Sequence, residues 1–499
     1  MRTLLFVYLL LYPSIGFSKP VRYEITPLLQ NGSLRLQVHA WFAGDADGET
    51  ELAIPTRFGN ADKLFRCIRN LACTTPGCSL RMDPDTLFVL LEHAPGQDLK
   101  LDYEVTQDFP GESVPDDKAF RPILQPGYFH ILGNALFIVP KWNDVYEVTL
   151  EWRDVPSGWV LHNSFASGSA LQHFTFPNLR WLESVFVGGD YRLHEAEVQG
   201  KAVWMAIRGK DWAFQDDSLL SMLQRTVALQ RDFWQDYDVP FYTVTFTPLA
   251  TRPASSGGQV FVSTRVFYLG TGLTNSFAAF ATPHKRLVVE DLYHLFHHEL
   301  MHNWIGCKIR NGCNANDMQL AWFSEGFTEY FALKNMLKGG FVTPEQYVER
   351  LNDRFFNGLY HSPEREAPNS TVADSFFLDP DIERLPYLRG CVFAFFLDNA
   401  VKTGSNGAHN LHQLMLDMLA YYQRPDRDLH YNFDFFLETC TDYLQKDIMP
   451  LYQKHIQEGK LILAEEFVLP AYLKMETDEE GSPFFWLDKS VAGWEGIRE

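Results

Sequence analysis

Apolar and polar residues alternate in short runs between positions 21 and 158, the period of strands that bury one face. The clearest runs fall at 33–42, 86–92, 99–105 and 145–152, with turn clusters such as Asn31-Gly32, Pro95-Gly96 and residues 44–48 between them. Strands at this spacing predict an all-β sandwich. The pattern then becomes mixed. Residues 181–193, 203–208, 239–246 and 259–267 read as strands, 218–233 has helical periodicity, and 254–258 reads as a loop. From 285 to 305 no glycine or proline interrupts the chain, and Leu292, Phe296 and Leu300 recur every four residues. That spacing predicts a helix with one face on a core. A second helix opens at Trp322 and closes at Gly339-Gly340. Helical runs follow at 344–356, 390–403, 409–422, 433–445 and 449–457, punctuated by proline and glycine. Residues 477–499 are acidic and then aromatic, and match neither pattern.

The expected fold class is α+β and multidomain. It comprises an N-terminal β-sandwich at 19–160, an α/β domain with the two helices at 161–340, a helical region at 341–470 and a tail at 471–499. A chain of 499 residues is long enough for several domains and a large core. The formal net charge of -20 argues against nucleic acid as a partner, because phosphate binding needs a basic face. Residues 1–18 carry the marks of a secretory signal: Arg2 at the start, an apolar stretch at 4–11, and the small residues Gly16 and Ser18 ahead of Lys19. No later run is apolar for long enough to span a bilayer. The expectation is an exported protein, secreted or periplasmic, with no membrane span once the signal is removed. Nothing in the pattern indicates an oligomeric state.

Export permits disulfides, and seven cysteines leave at least one unpaired. Cys307 and Cys313 flank a short glycine-containing segment and are the first candidate bridge. Cys67, Cys73 and Cys78 can supply a second, and Cys391 is expected to be buried.

The candidate chemistry lies on the two central helices. His298, Glu299 and His302 form a His-Glu-x-x-His motif, and on a helix the two histidines sit one turn apart on one face. The plain alternative is a polar helix face that merely contains histidines. Glu325, on the second helix, completes a set of two imidazoles and one carboxylate that suits a single Zn2+ ion with one position left open. Zinc there would activate a water, with Glu299 as its base and as the donor to a leaving amine. Glu329 lies one turn beyond Glu325 and is expected to accept the Nδ1 proton of His298. Its alternative is an exposed or capping glutamate. His294 and His297 are expected to be packing or surface histidines.

These residues carry a family resemblance. HELMH followed by WFSEGFTEYF resembles the gluzincin metallopeptidases, which include thermolysin-like enzymes and the large zinc aminopeptidases. The connector from 303 to 324 is longer than in the large aminopeptidases. Together with HNWIGCKIR and a later PYLRG it resembles the glycyl aminopeptidase family more closely. The likeness covers most of residues 21–465 and is strongest at 298–331. It implies a β domain, a thermolysin-like catalytic domain and a helical region. It also implies zinc-dependent hydrolysis of peptide bonds in peptide or protein substrates, by an aminopeptidase as the family default. Tyr387 matches a tyrosine that faces the oxyanion in related enzymes, and Arg389 stands where a basic residue near the substrate is common.

One departure bears on the substrate. In that family a Gly-Gly-Leu-Glu-His stretch ahead of the zinc helix holds the substrate's α-amine. The corresponding stretch is Thr271-Gly272-Leu273-Thr274-Asn275-Ser276, with Thr274 in place of the glutamate. A hydroxyl does not neutralise an ammonium. Gly272, Thr274 and Asn275 therefore remain candidate substrate residues, with 272–277 read as an edge strand that binds through its backbone. Glu290 or Asp291 would have to replace the missing acid. An endopeptidase of the same fold and a silent zinc-fold binding protein are the alternatives. Glu299 counts against the second, which has no use for a base.

Overall fold

Asn31 and Gly32 turn the first hairpin: both take left-handed φ, 51° and 77°, and the strands close on the pair Gln30 and Ser33. Two positive φ values in a two-residue loop match the twist of the flanking strands, which is why Asn-Gly serves here. A computed structural model describes residues 18–498 except 84–87, 115–116, 143–144, 239–240, 251–252, 257–258, 263–266, 310–317 and 425–431. The chain divides into two compact units. One runs to Arg57 and continues through Asp62–Pro110 and Arg121–Gly189; the other holds Phe58–Ala61, Gly111–Phe120 and everything from Asp190.

The first unit is built of sheets around one core. A six-stranded sheet has the order Leu171–Pro177, Val145–Trp152, Lys19–Gln30, Ser33–Ala43, Asp98–Val105, Ile68–Cys73, and two four-stranded sheets accompany it. The alternation read from the sequence is the alternation of burial: Val21, Tyr23 and Ile25 pair with Phe42, Ala40 and Val38, and all six are buried in the core. The buried hydroxyls of Tyr23 and Tyr103 donate to the carbonyls of Ile138 and Leu136, at 2.9 Å and 3.0 Å. The unit runs to Gly189 rather than 160, because Leu171–Pro177 and Val185–Gly189 pair back onto strands at 145–152 and 128–132. Trp181 is not in a strand as expected but in a 3-10 turn, fully buried against Phe137 with ring centroids 4.8 Å apart. Cys73 and Cys78 form a disulfide, and Cys67 is free and buried.

The second unit has a five-stranded sheet of β1 (Arg192–Val198), β2 (Lys201–Ile207), β3 (Phe241–Pro248), β4 (Tyr268–Leu273) and β5 (Ser276–Ala281), in the order β1-β2-β3-β5-β4. β2, β3 and β5 are parallel, so α1 (Asp216–Trp234) crosses between β2 and β3. β4 is left on the edge, antiparallel to β5. The expected edge strand at 272–277 is thus shifted: Thr274 and Asn275 form the hairpin turn, with Asn275 at φ 52°, and Ser276 begins the inner strand. Of the expected loop at 254–258, residues 254–256 are instead extended, since Pro253–Ser256 pairs with Gln259–Val262, and 257–258 lie outside the described residues; small polar residues do not bar an extended backbone that finds a partner.

Leu292, Phe296 and Leu300 lie against this sheet as their spacing predicts, with Phe296 edge-on to Phe277 at 4.8 Å. They seat α2 (Tyr293–Met301), and His302 follows it still in helical conformation, φ -61° and ψ -17°. The next helical segment, Ala321–Ser324, passes through Glu325 into α3 (Gly326–Lys338) with its hydrogen bonds unbroken: Glu325 donates to Ala321 at 2.8 Å and Glu329 to Glu325 at 2.9 Å. Gly340 closes α3 at φ 69°, with Phe341 N–H reaching back to Met336 and Gly340 N–H to Leu337.

The remaining helices form the largest core. α4 (Pro380–Gly404) starts ten residues ahead of the expected 390, because Asp379 caps it at Asp381 N–H and Pro380 suits a first helical position. The run expected as one helix at 344–356 is an α-helix only to Arg350; Leu351–Phe356 is a π-helical turn. The tail belongs to this unit: Leu473–Thr477 pairs with Pro483–Leu487, and Asn352 holds the buried Phe485 by both backbone groups at 2.7 Å and 2.9 Å. Among the described residues no helix is long and apolar enough to cross a membrane.

Gly326 of α3 and Gly390 of α4 meet backbone to backbone. A Cβ on Gly390 would stand 1.8 Å from the Trp322 carbonyl oxygen and 2.8 Å from Gly326 Cα. Gly390→Ala should therefore cost about 1–3 kcal/mol or more and lower the melting temperature. Gly404→Ala in the same helix, where nothing lies within 4 Å, should leave it within about 0.5 kcal/mol.

Candidate metal centre

α2 carries His298 and Glu299, His302 follows at its C-terminal end, and Glu325, at the start of α3, meets them. Glu325 Oε2 lies 3.3 Å from His298 Nε2 and 3.4 Å from His302 Nε2, and the two Nε2 atoms are 3.1 Å apart. A tetrahedral zinc with bonds of about 2.0–2.1 Å sets its ligand atoms roughly 3.3–3.4 Å apart. The triangle therefore fits that ion. Two imidazole nitrogens that close, each aimed at the other and at one carboxylate oxygen, are better satisfied by a shared cation than by one proton.

β4 closes the other side. A Cβ on Gly270 would stand 2.9 Å from Glu299 Cγ, and one on Gly272 would stand 2.9 Å from His302 Cβ. The two glycines let the edge strand lie against the helix, and the Gly272 backbone draws the Glu299 carboxyl slightly down. Burial pushes the Glu299 carboxyl up, against the pull of both histidines. Burial would push His298 down, but the Glu329 and Glu325 carboxylates outweigh it and hold the imidazole at about 10. For Glu325 the balance falls well below the carboxylate range, because His302 and His298 overcome the burial. The raised His298 marks a site that favours positive charge, the lowered Glu325 answers the charge on the two histidines, and the Glu299 shift comes chiefly from burial.

Glu329 is buried beside the triangle, with its Oε1 3.5 Å from His298 Nδ1. The expected hydrogen bond is not made: that nitrogen has no hydrogen-bond partner. The carboxylate instead bonds His294 Nε2 at 2.5 Å and Arg354 Nη2 at 2.8 Å. His294 is therefore no surface residue; it is buried and fixes the carboxylate that faces His298. His294, His298 and Glu329 could form a second cation site. Arg354 already supplies positive charge to it, so we read the three as support for the first. His297 is a packing residue, held by Asn335 at 3.1 Å and by Gln230 at its carbonyl.

Tyr387, on α4, lies over His298 with ring centroids 6.1 Å apart and planes 23° apart. Burial, with Glu325, Glu299 and Glu329 nearby, holds its phenol well above 10, so it keeps its proton and can donate. Arg389 points elsewhere. It is buried and bonds the carbonyls of Arg365 and Ala367 at 3.2 Å and 2.7 Å, which makes it a support for that loop and not a substrate residue. Thr274 is buried in the β4–β5 turn, while Glu290 and Asp291 are exposed on the turn before α2. Cys307 is disulfide-bonded, and Cys313 lies outside the described residues.

Sequence reasoning missed His294, Arg354 and Gly270. Gly270 had a signal, a glycine inside a strand pattern that marks close backbone approach. Arg354 had none, because the π-helical turn that carries it is not visible in the periodicity.

The profile of the M61 glycyl aminopeptidase family matches residues 291–378, a span that includes both motifs and stops short of Tyr387. The crystal structure of an aminopeptidase N family protein from Idiomarina loihiensis superposes with a TM-score of 0.72 at 15% identity, over 92% of this chain and 79% of that one. At that identity the likeness is one of fold. No curated protein sequence matches.

If Glu329 supports His298, Glu329→Ala should weaken zinc binding about 10–100-fold in a chelator competition, and His294→Ala should act in the same direction. Unchanged affinity in both would remove them from the site.

Proposed function

We propose that the protein is a zinc-dependent metallopeptidase, exported through the segment 1–18, that hydrolyses peptide bonds. The observation that carries this reading is the triangle of His298, His302 and Glu325 donor atoms, 3.1 to 3.4 Å on a side, with Glu299 beside it. The family match over the same residues supports peptidase chemistry.

His298, His302 and Glu325 would hold the zinc, which would supply Lewis acidity for the water and the scissile carbonyl. Glu299 takes a proton from the attacking water and passes it to the leaving amine. Its buried, raised carboxyl is suited to hold that proton between the two steps. The Tyr387 phenol, which stays protonated, donates to the oxygen on which negative charge develops. Gly270 and Gly272 let β4 lie against Glu299 and His302, and as the edge strand of the sheet β4 is where an extended peptide would pair. A silent binding protein needs neither Glu299 nor Tyr387 in these positions. Aminopeptidase action is the family default, and Thr274 is the residue that speaks against it.

Chelation should abolish peptide hydrolysis and zinc should restore it. Glu299→Gln should lose about 10²–10⁴-fold in kcat with zinc retained, and Tyr387→Phe about 10²–10³-fold. A peptide panel with free and acetylated N-termini decides between aminopeptidase and other cleavage. Full turnover by Glu299→Gln, or by metal-free protein, would overturn the mechanism.

A further inference from the structure

Arg354 stands where the buried metal-site shell meets solvent. Its side chain is 52% exposed, while that of Glu329, which it bonds at 2.8 Å, is 2% exposed and that of His298 is 9% exposed. One nitrogen goes to Glu329, and the guanidinium carries further N–H donors in a fixed fork that matches a carboxylate. The π-helical turn Leu351–Phe356 puts it there, by adding a residue to the helical turn and so altering the direction in which position 354 projects. Two contacts, of 2.8 Å and 3.5 Å, separate the guanidinium from His298. An extended peptide of roughly two or three residues covers such a span, at about 3.3–3.6 Å per residue.

β4 gives this position a direction. Gly272 lies on His302 and Gly270 on Glu299, so the strand runs along the site towards Tyr268. Burial raises the Tyr268 phenol, Arg354 draws it back, Asp291 adds to the rise and Arg350 draws it back further, so charges of both signs act on that end of the strand. Asp291 is committed to the turn, accepting from Val288 N–H at 3.0 Å. At the opposite end, past Gly272, the turn carries the neutral Thr274. One end of the edge thus has the half-exposed Arg354 guanidinium near it, and the turn at the other end carries Thr274 and no acid at that position.

We propose that Arg354 anchors a carboxylate of the bound peptide, so that this site selects short substrates by their acidic end and not by their α-amine. The inference rests on the metallopeptidase reading and narrows its substrate class. The carboxylate comes either from the peptide's C-terminus or from an acidic side chain near it; the guanidinium recognises both.

The test uses the zinc-loaded full chain and matched di- and tripeptides in three forms: free C-terminal acid, C-terminal carboxamide, and carboxamide with Asp or Glu as the last residue. Wild type should cleave the free acids with kcat/KM about tenfold or more above the neutral carboxamides, the size of one charge-assisted contact. Arg354→Gln should bring that ratio towards one whatever it does to the turnover the two forms share, and Arg354→Lys should keep part of it. Recovery with a terminal Asp or Glu would show that a side-chain carboxylate is also read, and no recovery would assign the anchor to the C-terminus. Because Arg354 also holds Glu329, zinc content is measured in each variant, and the wild-type ratio decides even where a variant loses metal. A ratio near one in an active wild type overturns the anchor and leaves the peptidase reading standing. A preference that survives in zinc-loaded Arg354→Gln overturns the role of Arg354. No cleavage of any form by zinc-loaded wild type overturns both readings.

Discussion

Three carboxylates, Glu299, Glu325 and Glu329, and the imidazoles of His294, His298 and His302 share one nearly dry volume between α2 and α3. Buried charge of one sign is costly unless opposite charge sits within contact. The chain provides part of that balance through Arg354, and the raised His298 and His302 provide part by holding protons. A divalent cation in the triangle would take the place of those protons, because imidazole binds a metal in its neutral form. The surrounding packing can be understood as what keeps these groups close despite their mutual repulsion.

That packing depends on missing side chains. Gly326 and Gly390 let α3 and α4 cross with their backbones touching, and the same crossing brings Glu325 and Tyr387 towards one point. Gly270 and Gly272 do the corresponding work for the edge strand against α2. A methyl group at any of the four would have to move either backbone or a residue of the metal site. The aromatic core around Trp322, Phe327 and Phe393 then holds the crossing from behind.

The network outward from the triangle has a graded exposure. His298 and Glu329 are buried, His302 opens slightly, Glu325 is about one-fifth exposed, and Arg354 is half exposed. Charge is therefore held rigidly where metal and water would react, and is available to solvent where a substrate end would arrive. A group that both supports a ligand's partner and faces the substrate side couples metal affinity to substrate recognition.

How much of this could be read beforehand depended on sequence distance. The amphipathic spacing of Leu292, Phe296 and Leu300, and the one-turn interval of His298 and His302, are local properties, and a helix preserves them wherever it packs. The alternating strands of the first unit and the Asn31-Gly32 turn were legible for the same reason. Even Glu325 followed from the chemistry of a ligand set with one member missing. The partners of Glu329, the absence of a bond at His298 Nδ1 and the loop-bracing role of Arg389 were not legible. They depend on where residues 22 to 35 positions away arrive in space, and so on the Gly326–Gly390 contact and a π-helical turn that no periodicity announces. Sequence alone determined which elements form and which side chains carry the chemistry, because both are set within one or two turns of chain. Only the tertiary structure decided which of those side chains meet, because that is settled by steric contact between elements that are strangers in sequence.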